Sequence, residues 1–263
     1  MHLHRVLTAV ILLPALLFLL LKGPLEAILI IIAFSALLGW YEYAHMAALP
    51  FPAFLSGFGA LGVSFIFLKQ DDTFLLLGFW VGLFLFLLSF LWRFEGQKTL
   101  WHFLAATAGF LYVSLGFGHL FFLVNLPEGR LWVLYLLATI FGTDTGAFYT
   151  GRAFGRHKLI PRISPGKTWE GAFGGLLLGT FLGGFLGLYF KLATPAFLFI
   201  LSGCLSVIGQ FGDLLESLIK RGFGVKDSGR LLPGHGGILD RTDALIFAAP
   251  FLYWLIHVVK YGH

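Results

Sequence analysis

Charge is what this sequence has least of. Charged residues make up 12% of its 263 positions, with 18 Lys and Arg against 13 Asp and Glu. Soluble domains carry roughly 25% charged residues, so a soluble globular fold is excluded. Cysteine is nearly absent as well. The single Cys204 excludes an intrachain disulfide and a cysteine metal motif, and its place in an apolar run predicts a small buried hydrophobe. The N-terminus has the charge and length of a signal peptide. It lacks a small-x-small cleavage site before Lys22-Gly-Pro24, which predicts a retained first span. Segments of alternating polarity are missing too, which argues against an outer-membrane barrel. Paired internal repeats, usual in transporters, are also missing. Gly166-Lys167-Thr168 invites comparison with a P-loop, but Pro161 stands where that motif needs its first glycine.

What is present is apolar: 58% of residues are hydrophobic and 17% aromatic. Runs at 6–21, 25–40, 74–92 and 131–141 approach or reach the ~20 residues with which a helix crosses a bilayer. The expected fold is all-α, a polytopic membrane protein with about nine spans near 5–21, 25–44, 51–69, 73–92, 100–124, 131–151, 170–190, 195–212 and 243–260. The fifth run, carrying Gly109, Gly116 and Gly118, is either one helix or a broken one. Residues 1–263 read as one membrane domain, with apolar spans over 1–130 and a catalytic half over 131–263. With the N-terminus inside, 13 of the 18 Lys and Arg fall on the cytoplasmic side, as the positive-inside rule requires. The polar loops 152–169 and 213–242 then face the cytoplasm. Gly171, Gly175, Gly179, Gly183 and Gly187 form a ridge at helical spacing, suited to close helix packing within one subunit or to a dimer contact.

The remaining polarity is concentrated. Residues 217–243 hold five basic residues, three aspartates, one histidine and six glycines in 27 positions. Just upstream, Asp213, Glu216 and Lys220 share one helical face, and Asp240 and Asp243 lie one turn apart at a helix start. Carboxylates so spaced suit Mg²⁺, which takes one or two of them together with phosphate oxygens. N-capping alone would account for Asp240 but not for Asp213 or Asp144. Asp144, in the stretch FGTDTG, either serves a function in a cavity or pairs with Arg152. Lys220, Arg221, Lys226, Arg230 and Arg241 supply charge for phosphate, and the glycines, Gly236 and Gly237 among them, allow main-chain N–H groups to approach it. His235 either donates to phosphate or satisfies a turn. Ser164, Lys167 and Thr168, near a helix start, offer an anion site.

Ser217-x-Ile-Lys-Arg221, Lys226-Asp227, Gly229, Pro233, His235-Gly-Gly237 and Asp240-Arg-x-Asp243 together resemble the signature of the phosphatidate cytidylyltransferase (CDP-diacylglycerol synthase) family. The resemblance covers roughly 140–243. It implies transfer of CMP from CTP to phosphatidate with Mg²⁺, Asp213, Asp240 and Asp243 as metal-binding carboxylates, and a monovalent cation such as K⁺ beside the Mg²⁺. It also implies a homodimer in the bacterial cytoplasmic (inner) membrane, a site open to cytoplasm and lipid, and no nucleic-acid partner. Lys220, Arg221, Lys226 and Arg241 would then hold the lipid phosphate and the pyrophosphate. The rivals are a CTP-dependent lipid kinase and an ion-coupled transporter. A CDP-alcohol phosphotransferase is disfavoured because no Asp-Gly-x-x-Ala-Arg string occurs.

Overall fold

A computed structural model describes residues 14–67, 73–91, 94–229 and 236–261. His235 and the beginning of the 5–21 span lie outside them. After a helical stretch at 14–22, the chain forms α1 (Leu25–Met46), α2 (Phe51–Phe67), α3 (Thr73–Leu91), α4 (Gln97–Asn125) and α5 (Gly129–Phe154). A hairpin of β1 (Lys158–Ile160) and β2 (Ser164–Thr168) leads into α6 (Trp169–Tyr189), α7 (Pro195–Gly222) and α8 (Leu239–Ile256). Six of the described helices, α1 and α4–α8, are long and apolar enough to cross a membrane, while α2 and α3 carry shorter apolar stretches, Phe51–Phe65 and Leu77–Leu91. The expectation of about nine spans counts these two and the segment 5–21 as well.

Boundaries follow local chemistry. Pro24 stands at the N-cap of α1 and Pro195 at the start of α7, where a missing N–H costs nothing. The fifth run is a single helix of 29 residues. Its glycines mark crossings: a Cβ on Gly116 would lie 2.6 Å from Cβ of Ile246 in α8, and one on Gly109 would run into the Tyr43 ring. Trp40, Phe86 and Phe110 pack edge-to-face and stacked between α1, α3 and α4, with centroids 5.7–6.2 Å apart.

Three expectations change. The hairpin, with Lys158 opposite Thr168 and Ile160 opposite Ser164, is the one departure from an all-α fold among the described residues. Its two prolines, Pro161 and Pro165, hid it, although a two-stranded ribbon is all edge and tolerates them. Helix α7 runs ten residues past the span's expected end at 212, so the polar loop expected over 213–242 begins as helix. Asp213, Glu216 and Lys220 share a helix as their spacing suggested, with Arg221 beside them. Cys204 is exposed rather than buried. A membrane helix is apolar on its outward face too, so an apolar run does not distinguish the two environments.

The glycine ridge of α6 is buried inside the chain, against α5. A Cβ on Gly175 would lie 2.7 Å from the Thr143 carbonyl oxygen, and one on Gly179 would lie 2.9 Å from that of Thr139. The packing reading of the ridge holds, and the ridge does not argue for a dimer. Without a hydrophobic drive between helices in lipid, such close backbone approach is what joins α5 to α6. Thr143 Oγ1 donates to Ser206 Oγ at 2.7 Å, tying α7 to the same pair. Gly175→Ala must push a backbone apart and is expected to destabilise by about 1–3 kcal/mol, read as a lower thermal midpoint in detergent. An unchanged midpoint would show that the ridge tolerates separation.

Candidate active site

The site is built from one end of the α5–α8 bundle and the hairpin. Thr168 ends β2 and caps α6, its Oγ1 accepting from Gly171 N–H at 3.1 Å. Glu170 then accepts from the Arg156 and His157 backbone N–H groups at 3.1 and 3.3 Å and lies 2.6 Å from His157 Nδ1, fixing the hairpin's base. This folds Lys167 over α7, where its ammonium meets Asp213 Oδ2 at 2.6 Å. Asp144, Gly166, Lys167, Gln210 and Asp213 line a cavity of about 320 Å³. Asp144 therefore belongs to the cavity, in electrostatic reach of Asp213, Lys167 and Arg241.

An apolar groove of about 330 Å³ adjoins this cavity. Leu159, Ala172 and Gln210 line both, and the outward-facing Trp169, Phe173 and Phe211 line the groove alone.

The second half gathers at the start of α8. One turn apart on α7, Glu216 and Lys220 pair at 2.5 Å, and the same ammonium bonds Asp240 Oδ1 at 2.6 Å. Asp240 Oδ2 accepts from Ser228 N–H at 2.9 Å, Ser228 Oγ at 2.9 Å and Gly237 N–H at 2.8 Å. Both oxygens of Asp240 are thus taken by protein donors. Gly236 adopts φ 79°, a left-handed backbone, and a Cβ there would lie 2.6 Å from Asp240 Oδ2. The glycines of this loop make room for protein carboxylates, and the Gly237 N–H points at Asp240 rather than at open space. Asp243, a turn further along α8, interacts electrostatically with Asp213, Asp144 and Lys220.

The basic residues divide. Arg221 donates from Nε and a terminal nitrogen to the carbonyls of Ile163 and Val225 at 3.3 and 3.2 Å, tying the hairpin to the end of α7. Lys226 and Arg241 are exposed, and Ser164 is half-buried in the hairpin. Asp213, Asp144 and Asp243 interact across three helices, yet among the described residues no three acidic, His or Cys groups by themselves form a metal-holding cluster. Beside them, the buried Glu216 Oε1 and Tyr112 hydroxyl have no hydrogen-bond partner, and Lys167 Nζ, ion-paired with Asp213, makes no directed hydrogen bond.

Residue patterns gave no warning of Tyr112, Gln210 or Ser228, and Glu42 was missed. Glu42 lies in α1, 1% exposed, with its carboxylate on the backbone of the loop before α8. Its signal was a lone acid inside an apolar run, Trp40-Tyr-Glu-Tyr43.

A family model described as the cytidylyltransferase family matches residues 3–259. A phosphatidate cytidylyltransferase of Staphylococcus epidermidis is 40% identical over 261 residues, covering 96% of this chain and 98% of the relative. One from Staphylococcus aureus (strain COL) is 38% identical over 262 residues with the same coverage. One from Bacillus subtilis is 43% identical over 152 residues, 57% of this chain and 56% of its own length.

Proposed function

Since the chain belongs to the cytidylyltransferase family, we propose that it is a membrane enzyme that transfers CMP from CTP to phosphatidate, giving CDP-diacylglycerol and pyrophosphate. The observation that carries the lipid half of this reading is the shared wall between the polar cavity and the apolar groove. A phosphate headgroup beside Lys167 and acyl chains along Trp169 and Phe173 would use both at once.

A phosphate oxygen of phosphatidate forms a bond to the α-phosphorus of CTP. The bond from that phosphorus to the α–β bridging oxygen breaks, and its electron pair leaves with pyrophosphate. The attacking oxygen is already anionic at neutral pH, so no strong general base is needed. The work lies in bringing two polyanions together and in stabilising the charge on the leaving group. Lys167 serves the cavity, and Lys220, Arg221, Lys226 and Arg241 serve the phosphates. Lys220 and Arg221 do so from positions already fixed by carboxylates and carbonyls.

The donor set fits Mg²⁺. Hard carboxylate oxygens of Asp144, Asp213 and Asp243 crowd one region beside two buried oxygens without partners, and phosphate oxygens would complete the coordination. Asp213 and Asp243 would hold the ion. Asp240 supports them by orienting Lys220 and the loop, since both of its oxygens are occupied. A Mg²⁺ held there would supply positive charge against the triphosphate and Lewis-acid polarisation of its phosphorus. A monovalent cation such as K⁺ beside it, a homodimer, an inward N-terminus and a site facing the cytoplasm of the inner membrane belong to the same proposal. Thirteen of the 18 Lys and Arg on one side support the orientation.

Purified protein in detergent, given labelled CTP, phosphatidate and Mg²⁺, is expected to form a CDP-lipid and pyrophosphate, and EDTA is expected to stop it. Phospholipid plus CDP would instead identify a lipid kinase.

A further inference from the structure

Helix α8 carries Asp240 and Asp243 but has no cap of its own. Its N-cap residue is Ile238, in helical conformation, with no side-chain cap bond. The first N–H groups of any helix need acceptors, and the positive end of its dipole favours an anion. Ser228 Oγ accepts from the Asp240 N–H at 3.3 Å, and the acceptor for the two N–H groups before it comes from 196 positions away. Glu42 Oε1 accepts from Ile238 N–H at 2.8 Å, and Glu42 Oε2 accepts from Leu239 N–H at 2.9 Å.

The same carboxylate reaches the other strand of the loop. Ser228 Oγ lies 3.2 Å from Glu42 Oε2 and 2.9 Å from Asp240 Oδ2. A hydroxyl has one proton, so Ser228 donates to one of the two carboxylates at a time and stands between them, nearer to Asp240. Around them the backbone has been cleared. A Cβ on Gly229 would lie 2.8 Å from Glu42 Oε1, and one on Gly237 would collide with Glu42 Oε2 and Ser228 Oγ. Glu42 therefore occupies a built socket whose walls are the signature loop itself, and no salt bridge holds it among the described residues.

We propose that Glu42 is a positioning residue: a carboxylate buried in α1 that caps α8 and thereby fixes where Asp240 and Asp243 stand. The inference rests on the cytidylyltransferase reaction proposed above for its kinetic consequence, but not for its structural one. Glu42→Gln keeps the length of the side chain and turns one acceptor into a donor facing a backbone N–H. Because misplacing a reacting group by about 1 Å can cost about 100-fold, kcat is expected to fall roughly 10- to 100-fold. The CTP KM is expected to stay within about threefold, since the loss falls on the transition state rather than on ground-state binding.

Two measurements on the purified full chain in detergent test this. Hydrogen–deuterium exchange is expected to rise in 226–229 and 236–244 and to stay unchanged in α5 and α6. Steady-state kinetics are expected to show the kcat loss, with Glu42→Asp, which keeps two acceptors on a shorter arm, recovering part of it. Wild-type exchange in those segments, or a wild-type kcat, overturns the proposal. So does a rise in exchange spread evenly over the chain, which would make Glu42 a general packing residue. If Glu42→Gln does not yield folded protein, the same two measurements on Glu42→Asp decide. The exchange experiment stands even if the chain makes no CDP-lipid, so failure of the proposed function and failure of the positioning role remain distinguishable.

Discussion

Asp243→Asn is expected to keep the protein folded, hold or raise its thermal midpoint in the absence of divalent metal, and lower turnover by roughly 10²- to 10³-fold, the scale of removing one preorganised electrostatic group. The two effects have one cause. Asp243 interacts with Asp213 and Asp144 as a like charge, and it adds to the negative field around Glu216. Among the described residues, Lys220 is ion-paired with Glu216 and Asp240 and Lys167 with Asp213, and Arg241 lies in electrostatic reach of Asp144, so the cations near these five acids are fewer than the acids. A crowd of carboxylates not fully balanced by protein cations is unfavourable in the folded chain and useful only when something positive arrives. Neutralising Asp243 without changing its shape relieves the repulsion and removes the proposed cation's holder. Thermal unfolding in detergent with EDTA and steady-state turnover with Mg²⁺ measure the two halves. A clearly lower midpoint, or turnover near wild type, would remove Asp243 from the proposed metal site.

Lys220→Met is expected to act in the opposite direction on stability. Its ammonium is the joint between α7 and α8, bonded to Glu216 at 2.5 Å and to Asp240 at 2.6 Å, with side chains only 13%, 2% and 11% exposed. Breaking a buried pair by removing one partner costs about 3–5 kcal/mol, because the other charge stays buried without compensation. Here two acids are stranded at once. The midpoint should fall accordingly, and activity should be lost with it. The mechanism predicts a rescue: in Lys220→Met/Glu216→Gln, one stranded charge is gone and the double variant should be more stable than Lys220→Met. Equal stability of the single and double variants would show that the loss comes from packing of the lysine stem instead of from stranded charge.

The chemistry of the site was legible in residue types long before their positions were. The acids Asp213, Glu216, Asp240 and Asp243 stand out because an apolar chain has few others, and helical spacing already put Glu216 and Lys220 one turn apart. Spacing could not reveal that Lys220 would reach Asp240 across a loop, because that contact depends on how α7 and α8 meet. Gly236 and Gly237 illustrate a residue type read correctly and a purpose read differently. Small side chains were needed, but for the carboxylates of Asp240 and Glu42. Thr168 likewise lay near a helix start as expected, and its hydroxyl caps that helix. Glu42 could not have been joined to the site by sequence, since its partners Ile238 and Leu239 offer only backbone N–H groups, which every residue has.

By itself the sequence determined the solvent in which this protein works. A chain with 12% charged residues and long apolar runs has to satisfy its backbone internally, so helices follow from composition and from the absence of water in lipid. It also determined the family, through a polar signature too long and too specific to arise from packing needs. Tertiary structure alone decided which donors face which carboxylates. It closed the glycine ridge against α5 and opened the polar cavity beside an apolar groove. It also brought an acid from the first long helix to the start of the last. The physical reason is range: composition and periodicity act over one or two helical turns, whereas the site is made of hydrogen bonds between segments up to 197 positions apart.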